Sequence, residues 1–298
     1  MNAPAALPRH ELAGILVTVG AAVIYGFYPA ATRGLYAEGG NAIFLTMLSL
    51  FARALVLVVY CLATQKKLFS SREHIKAGVI NGAYQFMSIG CILWAMTYLP
   101  GPVVVTIMFS YATMLYLYMV IRGEEPYSMS TLGTVIAAFA GVAMVMNVFH
   151  TDGLTSIKGA AIAFVSAVVV AARIYKFGAA FKTLNPAVVG AETFICAFAF
   201  SCILPFFGPV LLPHTDMGWG WATLSSASLA LGGFAALYGI ALLGPFKFAF
   251  FIKLEPVFGA ILSAVLIHEI LGVTQYAGIA LVVGSLLAYQ LMQKKGTA

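Results

Sequence analysis

The stretch LWAMTYLPGP, residues 93–102, returns late in the chain as LYGIALLGP, residues 237–245. Laid over each other at an offset of about 144 residues, they bring Gly101-Pro102 onto Gly244-Pro245. At nearly the same offset Asn41 falls on Asn185, Gly14 on Gly159, and Glu124 on Glu269. Each coincidence alone is weak. In one order and at one spacing they predict a tandem duplication, with residues 1–148 as the first copy and 149–298 as the second.

The composition says what is being duplicated. Hydrophobic residues make up 62% of the 298 and charged residues 9%, and the mean hydropathy is +0.97. A water-soluble domain does not carry so much apolar surface, so the chain reads as an integral membrane protein. In hydrocarbon only helices and closed barrels satisfy their own backbone groups. The apolar runs have the length of helical spans and lack the alternation of barrel strands. Ten spans are expected, at 12–35, 41–63, 76–98, 101–121, 128–148, 157–180, 186–207, 219–242, 246–267 and 272–292. Each copy therefore holds five. Because five is odd, the second copy enters the membrane from the opposite face, which gives an all-α fold of two inverted five-helix repeats. Such an arrangement supplies two near-equivalent conformations, one open to each side.

The basic residues give an orientation. With the N-terminus in the cytoplasm, that side carries Arg9, Lys66, Lys67, Arg72, Lys76, Arg122, Lys176, Lys182, Lys294 and Lys295, and the other side only Arg33 and Lys158. This bias places both termini in the cytoplasm. It also explains the net charge of +6 through topology, without nucleic acid as a partner. The first apolar run is span-length and reads as a retained helix. Cys61, Cys91, Cys196 and Cys202 all lie in apolar spans, form no CxxC and read as small hydrophobes.

Among the charged residues that fall inside the spans, six bear on an interior site: Arg53, Arg173, Lys247, Lys253, Glu192 and Glu255. A charge near a helix centre costs about 2.5–3.5 kcal/mol on insertion scales, so each should face a cavity or a partner. Lys247 and Arg173 lie within about two turns of cytoplasmic helix ends, where long side chains can snorkel. Arg53 either lines water or cross-links helices. In FIKLEPVFGAILSAVLIHE, residues 251–269, Lys253 and Glu255 sit about 200° apart around a helix and cannot share a face. Pro256 removes a donor and disfavours helical geometry at Glu255, so a kink is expected there and another at Pro29. The expected arrangement has Lys253 facing a cavity and Glu255 holding neighbouring donors or a cation; in the plainer alternative both pack around a hinge.

Polar and aromatic groups gather at similar depth. Tyr25 and Tyr28 are spaced i, i+3 on the first helix, and Tyr84, Gln85 and Ser88 lie on the third. Phe109 and Tyr111 lie on the fourth, with Tyr175 and Tyr238 in the second half. Buried hydroxyls need partners, and these residues, with Glu192 and Arg53, are expected to line the substrate cavity. Trp94, Tyr98, Trp219 and Trp221 suit interfacial anchoring instead. The ladders Gly133/Ala137/Gly141 and Ala280/Gly284/Ala288 mark helices five and ten as close-packing struts, with a homodimer through them as one option.

Enzymatic chemistry is not expected. GxxxxGK[ST] is missing, so nucleotide binding of that kind is unsupported. His268-Glu269 resembles half a metalloprotease motif without its second histidine, and no Asp, Glu or His cluster has metal-ligand spacing. No cofactor is implied.

The ten-helix pattern, the closing run LEPVFGAILSAVLIHE and AVIYGFYPAATRGL in the first helix resemble the drug/metabolite transporter superfamily in its EamA-type branch. Within that branch the sequence is most similar to an exporter of aromatic amino acids. The resemblance covers essentially the whole chain. It implies a basket-shaped fold, with helices one to four and six to nine around a central cavity and helices five and ten outside. It also implies an inner-membrane secondary transporter that exports small metabolites, with lipid as its surroundings. Small four-helix relatives couple to protons through a glutamate on their first helix; here that helix has no carboxylate past Glu11. A uniporter exporting aromatic or large apolar amino acids is therefore the leading expectation. Efflux of hydrophobic cations, with or without proton coupling, is the alternative.

Overall fold

The computed structural model describes residues 9–148, 156–268 and 270–296. Glu269, which the internal repeat pairs with Glu124, lies outside them. Among the described residues every regular element is helical. The longer helices are α1 (Arg9–Ala37), α2 (Ala42–Ala63), α3 (Arg72–Ala95), α6 (Met129–Val145), α7 (Ile157–Ala180), α8 (Pro186–Ser201), α9 (Asp216–Leu243) and α12 (Val273–Gly296). The fourth and ninth spans are each broken in two, as α4 (Gly101–Met108) with α5 (Tyr111–Ile121), and α10 (Pro245–Phe251) with α11 (Leu254–Leu266). The result is a ten-span, all-α membrane fold of two inverted five-helix repeats. Eight of the described spans, counting each broken pair as one, have the length and apolar character to cross a membrane, and Met129–Val145 is a shorter apolar helix. The remaining one, α3, begins with the charged residues Arg72, Glu73 and Lys76.

The duplication is visible in the caps. Asn41 caps α2 by accepting from the Phe44 N–H, and Asn185 caps α8 by accepting from Ala187 and Val188. Ser71 caps α3 through His74, and Thr215 caps α9 through Gly218. These side chains take up amides that have no partner within the helix, and they do so at equivalent places in both copies.

Packing repeats in the same way. Helix α1 lies along α9 and α11, as α7 lies along α3 and α5; α2 meets α9 as α8 meets α3. The pairs α2 with α8 and α6 with α12 map onto themselves when the halves are exchanged. One close approach recurs almost atom for atom. A Cβ on Gly14 would come within 2.8 Å of the Leu243 side chain, and a Cβ on Gly159 within 2.9 Å of Leu99.

The breaks also correspond. Phe109-Ser110 separates α4 from α5, and Ile252-Lys253 separates α10 from α11. At both, amides reach back three residues instead of four: Ser110 to Ile107 at 3.1 Å, and Glu255 to Ile252 at 2.9 Å. The expected kink at Pro256 is therefore displaced. Pro256 is the third residue of α11, where an amide would lack a helical acceptor anyway. The fourth span breaks with no proline at all, so proline is not what the two breaks share. Pro29 lies inside an α1 assigned as one continuous helix, and its ring approaches the backbone of Gly259, where a Cβ would be 3.3 Å away.

The broken spans are closed on one side. In the halves nearer the chain termini, α5 packs on α10. The Tyr116 and Phe246 rings meet at 4.8 Å, and Pro245 lies where a Cβ on Gly178 would be, 2.6 Å away. Tyr116 and Phe246 are each 1% exposed. In the far-side halves, α4 packs mainly on α7 and α11 mainly on α1, so these two diverge.

Helices α6 and α12 pack on each other behind the bundle. A Cβ on Gly278 would be 2.7 Å from the Gly141 carbonyl, so the small residues there are spent on an intramolecular contact. Gly133 and Gly284 have open space beside them, and Ala280, Gly284 and Ala288 are exposed.

Candidate functional site

The first turns of α11 decide what reaches the interior. Phe258 and Leu262 pack against Gly26 of α1, and Gly259 packs against Pro29. Residues three and four apart share a helix face, so Glu255 is carried onto this same α1-facing side. On α1 the i, i+3 pair Tyr25 and Tyr28 presents there. Tyr25 lies flat on α9, because a Cβ on Gly232 would come within 2.7 Å of its ring. A Cβ on Gly233 would meet the Tyr25 hydroxyl at 3.5 Å and the Arg53 side chain at 3.9 Å, so both groups converge over one glycine.

Arg53 is held from two directions. Its Nε donates to the Leu229 carbonyl at 3.1 Å, and its guanidinium lies 5.4 Å from the Phe194 ring centre. Glu255 is in electrostatic range of Arg53. Tyr25 and Tyr28 both sense Arg53 and Glu255. Tyr111, at the start of α5 and with its ring 6.0 Å from Phe109, senses Glu255, Arg173 and Tyr25. Arg173 on α7 senses Tyr25, Arg53 and Tyr111. Five elements thus place two guanidinium groups, one carboxylate and three phenols within pairwise electrostatic range of one another near the helix breaks. Arg53, Arg173, Glu255, Tyr25 and Tyr28 remain only partly buried. Charged groups this deep in a membrane fold keep water or a ligand beside them.

Lys253 is not in this group. Its Nζ donates to the Val135 carbonyl of α6 at 3.0 Å and lies about 6 Å from the Phe139 and Phe250 rings, with the residue 0% exposed. The expectation that it faces the cavity is corrected by the geometry that set it apart from Glu255. Two positions along a helix turn the side chain to the other side, and the α1 contact fixes Glu255 as the inward one.

Other expected members disperse. Glu192 is fully buried and accepts from the Phe69 amide at 2.6 Å, with His74 Nδ1 3.8 Å away; it fastens the α2–α3 connection, where Phe69 has φ +52°. Tyr175 donates to Glu124 at 2.6 Å beside Arg122, at the terminal end of α7. The Tyr238 hydroxyl lies 3.2 Å from that of Tyr60. Ser88 donates to the Gln85 carbonyl, and Ser166 of α7 donates to the Ser88 carbonyl, so this side of α3 serves helix packing. Tyr84 is half-buried on the same helix. Lys247 pairs with Glu11 at 2.6 Å. The member that sequence reasoning passed over is Arg173, taken for a snorkelling side chain. The available signal was Tyr175, whose place two residues on puts it on the opposite face of α7.

The sequence matches the EamA-like transporter family over residues 12–147 and again over residues 157–289. The chain belongs to that family. EamA-like proteins of this kind are multi-pass membrane transporters of the drug/metabolite type, and they move solutes instead of transforming them. A solved crystal structure 15% identical to this EamA-like chain superposes with a TM-score of 0.79, covering 94% of this chain and 98% of its own. At that identity the likeness concerns the fold. Among curated proteins, none matches the sequence.

Proposed function

We propose that the protein exports amino acids with aromatic or large apolar side chains from the cytoplasm by alternating access, running as a uniporter down the substrate gradient. One observation carries this reading: the polar cluster sits near both helix breaks, with Tyr116 and Phe246 packed together on the terminal side and the far-side halves α4 and α11 apart. Exchanging the roles of the two copies would close α4 on α11 and separate α5 from α10. This is the movement that an inverted repeat makes available.

The cluster suits an amphoteric, aromatic guest. The faces of Tyr25, Tyr28 and Tyr111, with Phe109 behind, offer an apolar and polarisable wall for a ring. Glu255 supplies a negative partner for an ammonium group. Pro29 deprives the Tyr25 carbonyl of its helical donor, which offers that ammonium a second acceptor. The distribution of basic residues supports cytoplasmic termini in a bacterial inner membrane, which makes the packed α5/α10 side the cytoplasmic one. The exposed ladder of Ala280, Gly284 and Ala288 is the surface through which α12 would support a homodimer.

Efflux of hydrophobic cations is the second reading, favoured by the central position of Glu255 among aromatic rings. Counterflow into proteoliposomes with labelled phenylalanine, tryptophan, organic cations and sugar phosphates separates the two. Exchange confined to amino acids supports the proposal, and exchange confined to cations replaces it. An imposed pH difference that drives concentrative uptake without a substrate gradient would reject the uniporter.

A further inference from the structure

The central cluster is short of one negative charge. Arg53 and Arg173 are guanidinium groups, which stay protonated in proteins, and the cluster has only one carboxylate, Glu255. That carboxylate acts on Arg53, which also has the Leu229 carbonyl and the Phe194 ring. Arg173 has far less. It lies 5.7 Å from the Phe177 ring centre, within electrostatic range of the Tyr25 and Tyr111 phenols, and its buried Nε has no hydrogen-bond partner. An uncompensated guanidinium within a membrane fold is costly, as is a buried donor without an acceptor.

We infer that Arg173 is the receptor for a substrate carboxylate, with Glu255 at the other end of the site. The inference rests on the amino-acid reading for the ammonium end but not for the carboxylate end. A guanidinium presents paired N–H donors that match the two oxygens of a carboxylate, and the Nε of Arg173 is the donor left open. One excess positive charge calls for one negative charge in return. A monocarboxylate balances the cluster; a zwitterion leaves its net charge unchanged but gives Arg173 a local counter-charge through its carboxylate, with its ammonium at the Glu255 end. A phosphate dianion would leave surplus negative charge beside Glu255. Lys253, a third cation at this depth, is committed to Val135 on the far face of the broken span and leaves the role to Arg173.

The test compares phenylalanine, phenylalaninamide, which lacks the carboxylate, and phenyllactate, which lacks the ammonium. Each competes in proteoliposome counterflow against labelled phenylalanine, or in direct binding to purified protein if phenylalanine is not carried. In the wild type, phenylalanine should compete at least about tenfold better than its amide. In Arg173→Gln that preference should collapse while thermal unfolding in detergent stays cooperative, and Arg173→Lys should restore part of it. An Arg173→Gln protein that keeps the wild-type preference overturns the inference. If that variant does not fold, the wild-type comparison decides: equal competition by acid and amide, or binding of neither carboxylate, overturns it. Uptake of phenyllactate with refusal of phenylalanine keeps Arg173 as the carboxylate receptor and rejects the amino-acid reading instead.

Discussion

Lys253 and Glu255 stand two residues apart and point to opposite sides of the broken ninth span. The lysine Nζ meets the Val135 carbonyl of α6 at 3.0 Å, and the glutamate joins Arg53, Tyr25 and Tyr28 on the side of α1. One charge thus ties the broken ninth span to α6, and the other joins the interior cluster.

Neutralising the inward charge should stop transport. Glu255→Gln removes the carboxylate within electrostatic range of Arg53 and should reduce phenylalanine counterflow by at least about tenfold, with the protein still monodisperse and folded. Flux within about twofold of wild type would take Glu255 out of the site.

Neutralising the outward charge should not. Lys253→Met keeps the length of the side chain and exchanges a buried amine, bonded to a single carbonyl, for an apolar group. Relief of the ammonium's desolvation offsets the loss of its one hydrogen bond. Unfolding temperature in detergent should be unchanged or raised, and counterflow should stay within about threefold of wild type. Severe loss of flux in a stable Lys253→Met protein would return the lysine to the transport path.

The packed terminal-side halves give a conformational test. In a background lacking Cys61, Cys91, Cys196 and Cys202, Tyr116→Cys with Phe246→Cys exchanges two rings whose centres lie 4.8 Å apart for a pair of thiols. A short bifunctional crosslinker with a reducible disulfide spacer should arrest counterflow, and a reductant should restore it. Full activity after complete crosslinking would show that α5 and α10 need not part.

The strut helices provide a packing test with an internal control. Gly278→Val would drive a side chain into the Gly141 carbonyl, 2.7 Å from the Cβ position, and should destabilise by about 1–3 kcal/mol or more, as overpacking does. Gly284→Val faces open space and should leave monomer stability unchanged. If the Gly284 variant alone alters the oligomeric state by light scattering, the ladder on α12 is a subunit contact.

The sequence by itself determined the membrane class, the span count, the duplication and its inversion, because these depend on composition, run length and parity, which are local or additive. It also held the paired caps and Gly14/Gly159, since a repeat repeats its packing. Two things were decided only by tertiary structure. The breaks fall at Phe109-Ser110 and Ile252-Lys253, where the copies correspond, and not at the prolines that local chemistry favoured. The inward-facing charges were the other. Helical spacing states that Lys253 opposes Glu255, and Arg173 opposes Tyr175, but a helix has no preferred face until a neighbour covers one. Phe258, Gly259 and Leu262 on α1 turned Glu255 inward, and Tyr175 was drawn to Glu124 at the helix end. The membrane charges each buried ion for its solvation, so the fold, and no single helix, settles which ions meet.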